Sequence, residues 1–246
     1  MSFMLNMNPN TSPLSQQLHE QLLQLITETS PGERLPSEPA LAKDLGVSRA
    51  TLREAMRTFE TQGLIHRKQG VGTFVVHPTH VIESGLEKLE SIESLAERIG
   101  LPVKMGDFQI DERTASEEEC KALLLETCET VTVVSRVIEA EDRPVAYLFD
   151  ILPQDVLSSD DLDFSFTGSV LDFLLRRGDP ELRTSRTEIG AVAAAPEVAR
   201  ALGIQRGDVV LRFVATLFSG EGQVIDYSIS YFLPGYFRFH VIRRVG

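Results

Sequence analysis

Cysteine and net positive charge are both scarce in this chain of 246 residues. Only Cys120 and Cys128 occur, and their spacing suits neither a metal cluster nor a redox motif. Two such residues exclude a disulfide-dense secreted scaffold and read as reduced, structural thiols of a cytoplasmic protein. Long hydrophobic runs are missing too. None approaches the roughly 18 apolar residues of a membrane span, which excludes a helical membrane protein. The opening residues, MSFMLNMNPNTSP, lack a charged leader and a continuous apolar core, so they read as a flexible lead-in, not a secretory signal. Basic residues number 24 against 36 acidic, a net charge of −12. That deficit is uneven: residues 1–78 hold seven of each sign, whereas residues 79–246 hold 17 basic and 29 acidic. The chain reads as a neutral head and an acidic body, and its length admits two domains.

The head is dense in local signals. Between positions 34 and 76 it reads RLPSEPALAKDLGVSRATLREAMRTFETQGLIHRKQGVGTFVV. Pro36-Ser37 opens a helix that Ser37 can cap. Leu41, Ala42 and Leu45 form its buried stripe, and Gly46 ends it. Ser48 caps a second helix after a turn of only a few residues, the connection of a helix–turn–helix. On that helix Arg49, Arg53 and Arg57 recur at every fourth position and stack along one side. Leu52, Ala55, Met56 and Phe59 lie on the other side. Two strand-like runs follow, 64–67 and 73–76, around a tip containing Lys68, Gly70 and Gly72. Glycine there permits a tight turn and a bare backbone that can enter a groove closely. Three arginines at this spacing could be a solvated face. The cap, the apolar opposite side and the wing together point instead to double-stranded DNA, with the first arginine near base edges and the later ones near phosphates. The acidic body, repelled by the duplex, would help to orient the head.

These residues resemble the winged helix–turn–helix of GntR-type bacterial transcription regulators, through LPSE, LGVSR, LREA and QGVGTFV. The resemblance covers residues 12–76. It implies that Ser48, Arg49, Thr51 and Arg53 contact an operator while Gly70 and Gly72 serve the wing. Ser37, Arg57 and Lys68 complete the expected DNA-binding set. Pro39 stands where many relatives carry a basic residue, which implies that a backbone or base contact of those relatives is missing, and Ala50 replaces a frequent Thr or Pro.

Residues 77–85, HPTHVIESG, are polar and aperiodic and read as a linker. His77 and His80 have no third ligand nearby, so no metal is expected. A helix is expected over 86–99. Beyond it the chain repeats itself: 116–153 and 195–234 each run helix, β-branched strand, polar turn, and strand ending at proline. Two more strands, 103–113 and 182–192, precede the two copies. Arg136 and Arg212 sit mid-strand in what read as equivalent places. Six strands joined largely by hairpins define an α+β class with an antiparallel sheet.

With IDYSISYFLPGYFRF near its end, the body (86–246) resembles the UTRA effector-binding domain of the HutC-type branch, similar in fold to chorismate lyase. The resemblance implies a pocket between the repeat halves for a small-molecule effector. Its expected lining is Arg136, Ser169, Glu188, Asp226, Ser230 and Tyr231. A buried arginine is costly unless paired, so Arg136 faces either an anionic ligand or an internal carboxylate such as Glu188 or Asp226. Ile138 replaces a second arginine seen in sugar-phosphate-binding relatives, and Asp226 replaces a common Glu.

The expected function is a metabolite-responsive repressor that binds an inverted-repeat operator as a homodimer, without cofactor or membrane attachment. The alternatives are a ligand-independent DNA-binding dimer and a lyase-like enzyme. Against the enzyme, no nucleophile–base pair, metal spacing or phosphate-binding glycine loop is present.

Overall fold

The computed structural model describes residues 13–30, 32–61, 63–68, 71–76, 81–162, 166 and 168–244. The lead-in (1–12), His77, His80 and Gly70 lie outside them. The chain divides into two compact units, Met1–Thr79 and His80–Gly246.

The first unit is built from α1 (Pro13–Glu28), α2 (Glu38–Asp44), α3 (Arg49–Thr61), β1 (Ile65–Lys68) and β2 (Gly72–Val75). Helix α1 lies inside the expected head, residues 12–76, but is not among the helices expected from Pro36 onward. Its signal was present in Leu18, Leu22 and Ile26, spaced one helical turn apart and all buried. They close the core formed by Leu41, Leu52, Met56 and Phe59. His19 stacks on Phe59 with ring centroids 4.4 Å apart, which joins α1 to α3. The strands β1 and β2 pair antiparallel from Ile65↔Val75 to Lys68↔Gly72.

The second unit carries a six-stranded antiparallel sheet. Its elements are β4 (Val103–Thr114), α5 (Glu117–Ala122), β5 (Thr130–Ala140), β6 (Arg143–Pro153), β7 (Leu182–Ala193), α7 (Pro196–Ala201), β8 (Val209–Ser219) and β9 (Val224–Phe232). The order is β4-β5-β6-β9-β8-β7, so the halves meet at the β6–β9 seam. The expected repeat is regular: β7, α7 and β8 each begin 79 positions after β4, α5 and β5. That offset places Ala215, not Arg212, at the position of Arg136. Arg212 pairs across β9 with Tyr231, one residue out of phase, and so belongs to the opposite face of the sheet.

Helices α5 and α7 cover one face. Cys120 of α5 and Leu123 just after it pack with Val131, Ile151 and Tyr227, and the Tyr147 hydroxyl on β6 donates to Glu197 of α7 at 3.2 Å. The other face is covered by α4 (Ile92–Arg98), α6 (Val170–Arg177) and a parallel pair, β3 (Ile82–Gly85) with β10 (Phe237–His240). Two expectations change here. The stretch read as a linker includes β3, whose Ile82 and Ser84 are buried; its four residues are too short to show a period. The helix expected from residue 86 begins at Ile92, because the Ser91 hydroxyl caps it by accepting from Ser94 N at 3.0 Å. Leu86 and Leu89 are left exposed.

Cys120 and Cys128, expected as free thiols, are joined in a disulfide, with Cα atoms 5.6 Å apart. The chain reverses after α5 at Leu124, where φ is 56°, and this brings the second cysteine back over the first. A similar local device closes the β5–β6 hairpin. Glu141 and Asp142 both take positive φ (52° and 59°), as a two-residue turn requires to match the strand twist.

Candidate functional site

The first unit presents the start and outer side of α3. Ser48 caps the helix by accepting from Thr51 N at 3.1 Å, and its hydroxyl lies 2.8 Å from the Thr51 hydroxyl. Arg49, Thr51 and Arg53 are exposed, while Leu52, Met56 and Phe59 on the opposite side are fully buried. Arg57 is half-buried and lies 3.4 Å from Glu54. Ser37 occupies the N-cap of α2 in extended backbone, yet its side chain makes no capping bond. The expected cap is therefore absent, and an exposed hydroxyl remains. Lys68 ends β1 and Gly72 begins β2, with Val71 exposed between the strands. Gly72 has φ +146°, a backbone conformation strained for any residue with a side chain, so the wing favours glycine here, and the flexible end of the Arg34 side chain packs over it.

Glu38, the last residue of LPSE, is not among the residues expected from the sequence, yet it contacts one of them. Arg53 Nε donates to its carboxylate at 2.7 Å, and Arg67 Nη1 lies 3.7 Å from the other oxygen. Arg67 Nη2 also donates to the Arg53 carbonyl at 3.2 Å. One carboxylate thus ties α2 to α3 and to the wing strand, and fixes where Arg53 starts from. Only the position of Glu38 at the first turn of α2 hinted at this.

The second unit holds a partly open cavity of about 770 Å³ on the sheet face covered by α4 and α6. Strand register decides its floor. One row across the sheet runs Phe108, Arg136, Leu148, Ser230, Phe213, Ile189; the next runs Ile110, Val134, Asp150, Ser228, Ala215, Thr187. Arg136, Asp150, Asp226, Ser228 and Ser230 line the cavity, and Ser169 joins them from the N-cap of α6. Phe213, Phe232, Phe237 and Phe239 form an aromatic wall, with neighbouring centroids 4.4–5.9 Å apart.

Two expected residues lie elsewhere. Glu188 pairs opposite Val214 in the intervening row, is exposed, and contacts Arg186 at 2.9 Å. Tyr231 alternates with Ser230 and meets Phe149 edge-on, at 6.5 Å, on the far face. Asp150, which was not anticipated, takes the place offered to Glu188: Arg136 Nη1 donates to its carboxylate in a buried ion pair. The clue available was a lone acid in the apolar run YLFDILP.

Burial opposes the charge of Arg136, yet the surrounding Asp150, Glu93 and Asp226 hold its pKa above the ordinary value. Burial, reinforced by Asp150, pushes the Asp226 carboxyl well up, against the Ile151 N–H that donates to it at 3.1 Å. Burial raises Glu93 of α4 as well. The floor is thus one fixed cation paired to one carboxylate, with two further carboxyls biased toward their neutral forms.

A capped, arginine-bearing helix with a wing, and a separate antiparallel unit around a polar cavity, define a DNA-binding regulator with a ligand-sized chamber. Comparison with known proteins agrees. The family described as bacterial regulatory proteins, gntR family, matches residues 14–75, and the UTRA domain matches residues 98–238. The chain is 30% identical over 242 residues to the HTH-type transcriptional repressor NagR of Bacillus subtilis, covering 95% of this chain and 96% of that protein. It is 30% identical over 224 residues to a histidine utilization repressor of Pseudomonas putida, covering 89% and 87%. The crystal structure of PhnF from Mycobacterium smegmatis shares the fold, with a TM-score of 0.63 at 19% identity over 93% of this chain and all of that one. The chain belongs to the GntR family, in the branch that carries a UTRA domain, and is a transcription regulator, not an enzyme. No helix among the described residues is long and apolar enough to cross a membrane.

Proposed function

We propose that the protein is a cytoplasmic repressor that holds an inverted-repeat operator as a homodimer and releases it when a small metabolite occupies the Arg136 cavity. The observation that carries this reading is the polar floor of Arg136, Asp150 and Asp226 in a cavity partly covered by α4 and α6, in a unit distinct from the DNA head. The names of the two relatives, both repressors and one tied to histidine utilization, support the same direction. A two-fold dimer presents two heads to two half-sites, so each α3 enters one major groove. Ser48, Arg49, Thr51 and Arg53 are its leading residues and the wing glycines approach the backbone. The effector acts by preferring a state in which DNA is held less tightly, and the coupling is reciprocal.

Full-length protein and the DNA upstream of its own gene test this in a mobility-shift titration with fractionated metabolites. The expected result is release by at least one fraction that also raises the melting temperature, from a protein that sediments as a dimer. Retention by every fraction without a thermal shift favours the ligand-independent dimer. Arg49→Ala is expected to cost roughly 1–3 kcal/mol of operator affinity and to relax discrimination at one base pair per half-site. An equal loss on random DNA would reduce Arg49 to a phosphate contact.

A further inference from the structure

Among its buried groups the cavity's charge inventory is the reverse of what an anionic effector needs; Lys88 and Arg183, which also line it, are exposed, and Lys88 lies 3.5 Å from Glu90. Arg136 is 5% exposed, and Asp150 already neutralises it through Nη1. Asp226, 6% exposed, shares the floor two residues from Ser228, which pairs across the seam with Asp150. Glu93 faces the same space from α4. Two atoms here are buried with no hydrogen-bond partner among the described residues: Arg136 Nε, a donor, and Glu93 Oε1. Leaving such groups unmade is costly, so a ligand that meets both gains on each side.

An anion on Arg136 would share one guanidinium with Asp150, already a carboxylate, and would hold Glu93 and Asp226 in their protonated forms beside it. A cation has the opposite effect, because it draws Glu93 and Asp226 toward their charged forms. From this geometry, and resting on the reading that the cavity holds the effector, we propose that the effector carries a protonated amine beside an oxygen acceptor. The oxygen accepts from Arg136 Nε, and the ammonium donates to Glu93 and lies against Asp226. The aromatic wall of Phe213, Phe232, Phe237 and Phe239 suits an apolar or cationic portion of the same molecule.

The test uses matched probes with the full-length protein, read by calorimetric titration. One set shares an aromatic skeleton: phenylalaninol (cation), 3-phenylpropane-1,2-diol (neutral) and 3-phenyllactate (anion). The other shares a small polyol skeleton: serinol, glycerol and glycerate. Within a set, the amine is expected to bind at least about tenfold tighter than the carboxylate. The isosteric pair Glu93→Gln and Asp226→Asn should erase that preference, and Glu93→Gln alone should narrow it, which keeps the test open if the double variant folds poorly. A tighter carboxylate, or equal binding across the charges, overturns the amine assignment. If the preferred anion also releases DNA, the cavity reading stands while the charge assignment fails. Absence of binding by all six, with no release by any metabolite fraction, overturns both.

Discussion

Arg53 and Arg136 are each held by a carboxylate, Glu38 and Asp150, and the two pairs serve opposite ends. The Arg53 side chain is 56% exposed, whereas that of Arg136 is 6% exposed. Water weakens the first pair to about 0–1 kcal/mol, so Glu38 can orient Arg53 and yield it to DNA at little cost. The second pair has no water to fall back on, and neither partner can leave without stranding a buried charge. An exposed pair guides a side chain toward a partner outside the protein. A buried pair fixes the electrostatics of a chamber.

That contrast breaks most visibly at Asp150. Asp150→Ala is expected to cost about 3–5 kcal/mol, because it leaves the Arg136 guanidinium buried with less compensation. Denaturant unfolding of the second unit's signal measures it, and a change below about 1 kcal/mol would mean that Asp226 or Glu93 takes over the pairing.

Arg113 and Glu119 sharpen the comparison as an intermediate case. Their side chains are 40% and 11% exposed, and two contacts of 2.7 Å join them. Glu119 also closes the capping box with Ser116 at the start of α5. Glu119→Gln is expected to cost about 1–2 kcal/mol at neutral pH. The Arg113 hydrogen bonds, helped by the Ser116 backbone N–H and opposed by burial, hold the Glu119 pKa at about 2, below its ordinary 4.5. A depressed carboxylate stabilises the fold above its unfolded pKa and loses that effect as it is protonated. The gap between wild type and variant should therefore close as the pH falls from 4.5 toward 2. A gap that persists at the acid end would assign the effect to packing instead.

The smallest change is expected at Glu38. Glu38→Gln should alter stability by under about 1 kcal/mol, since Arg53 remains solvated and the half-buried Arg67 keeps Glu60 3.6 Å away. Operator affinity should move further than stability does, because Arg53 loses its preset direction. Parallel unfolding and DNA titrations decide this, and a stability loss larger than the affinity loss would make Glu38 a structural residue.

Much of the head was legible because its signals lie within a few residues of one another. Ser48 and Gly46 bound a turn, and the apolar period of α3 names its buried side. The missed helix α1 carried the same kind of signal in Leu18, Leu22 and Ile26, diluted by its polar neighbours. In the body, the repeat revealed the strand order of each half, and alternation separated Ser230 from its neighbours. It could not say which phase faced the chamber. Glu188 and Tyr231 were assigned to the wrong phase, and Arg212 was equated with Arg136 although the 79-residue offset points to Ala215.

The sequence by itself determined a DNA-reading head, a duplicated antiparallel body and a costly arginine in the middle of an apolar strand. These are local consequences of capping, periodicity and composition. Only the tertiary structure decided that Asp150 answers Arg136, that Asp226 and Glu93 join them, and that Cys120 meets Cys128. The physical reason is that such partners are chosen by register and crossing, since a shift of one residue along a strand sends a side chain to the other face.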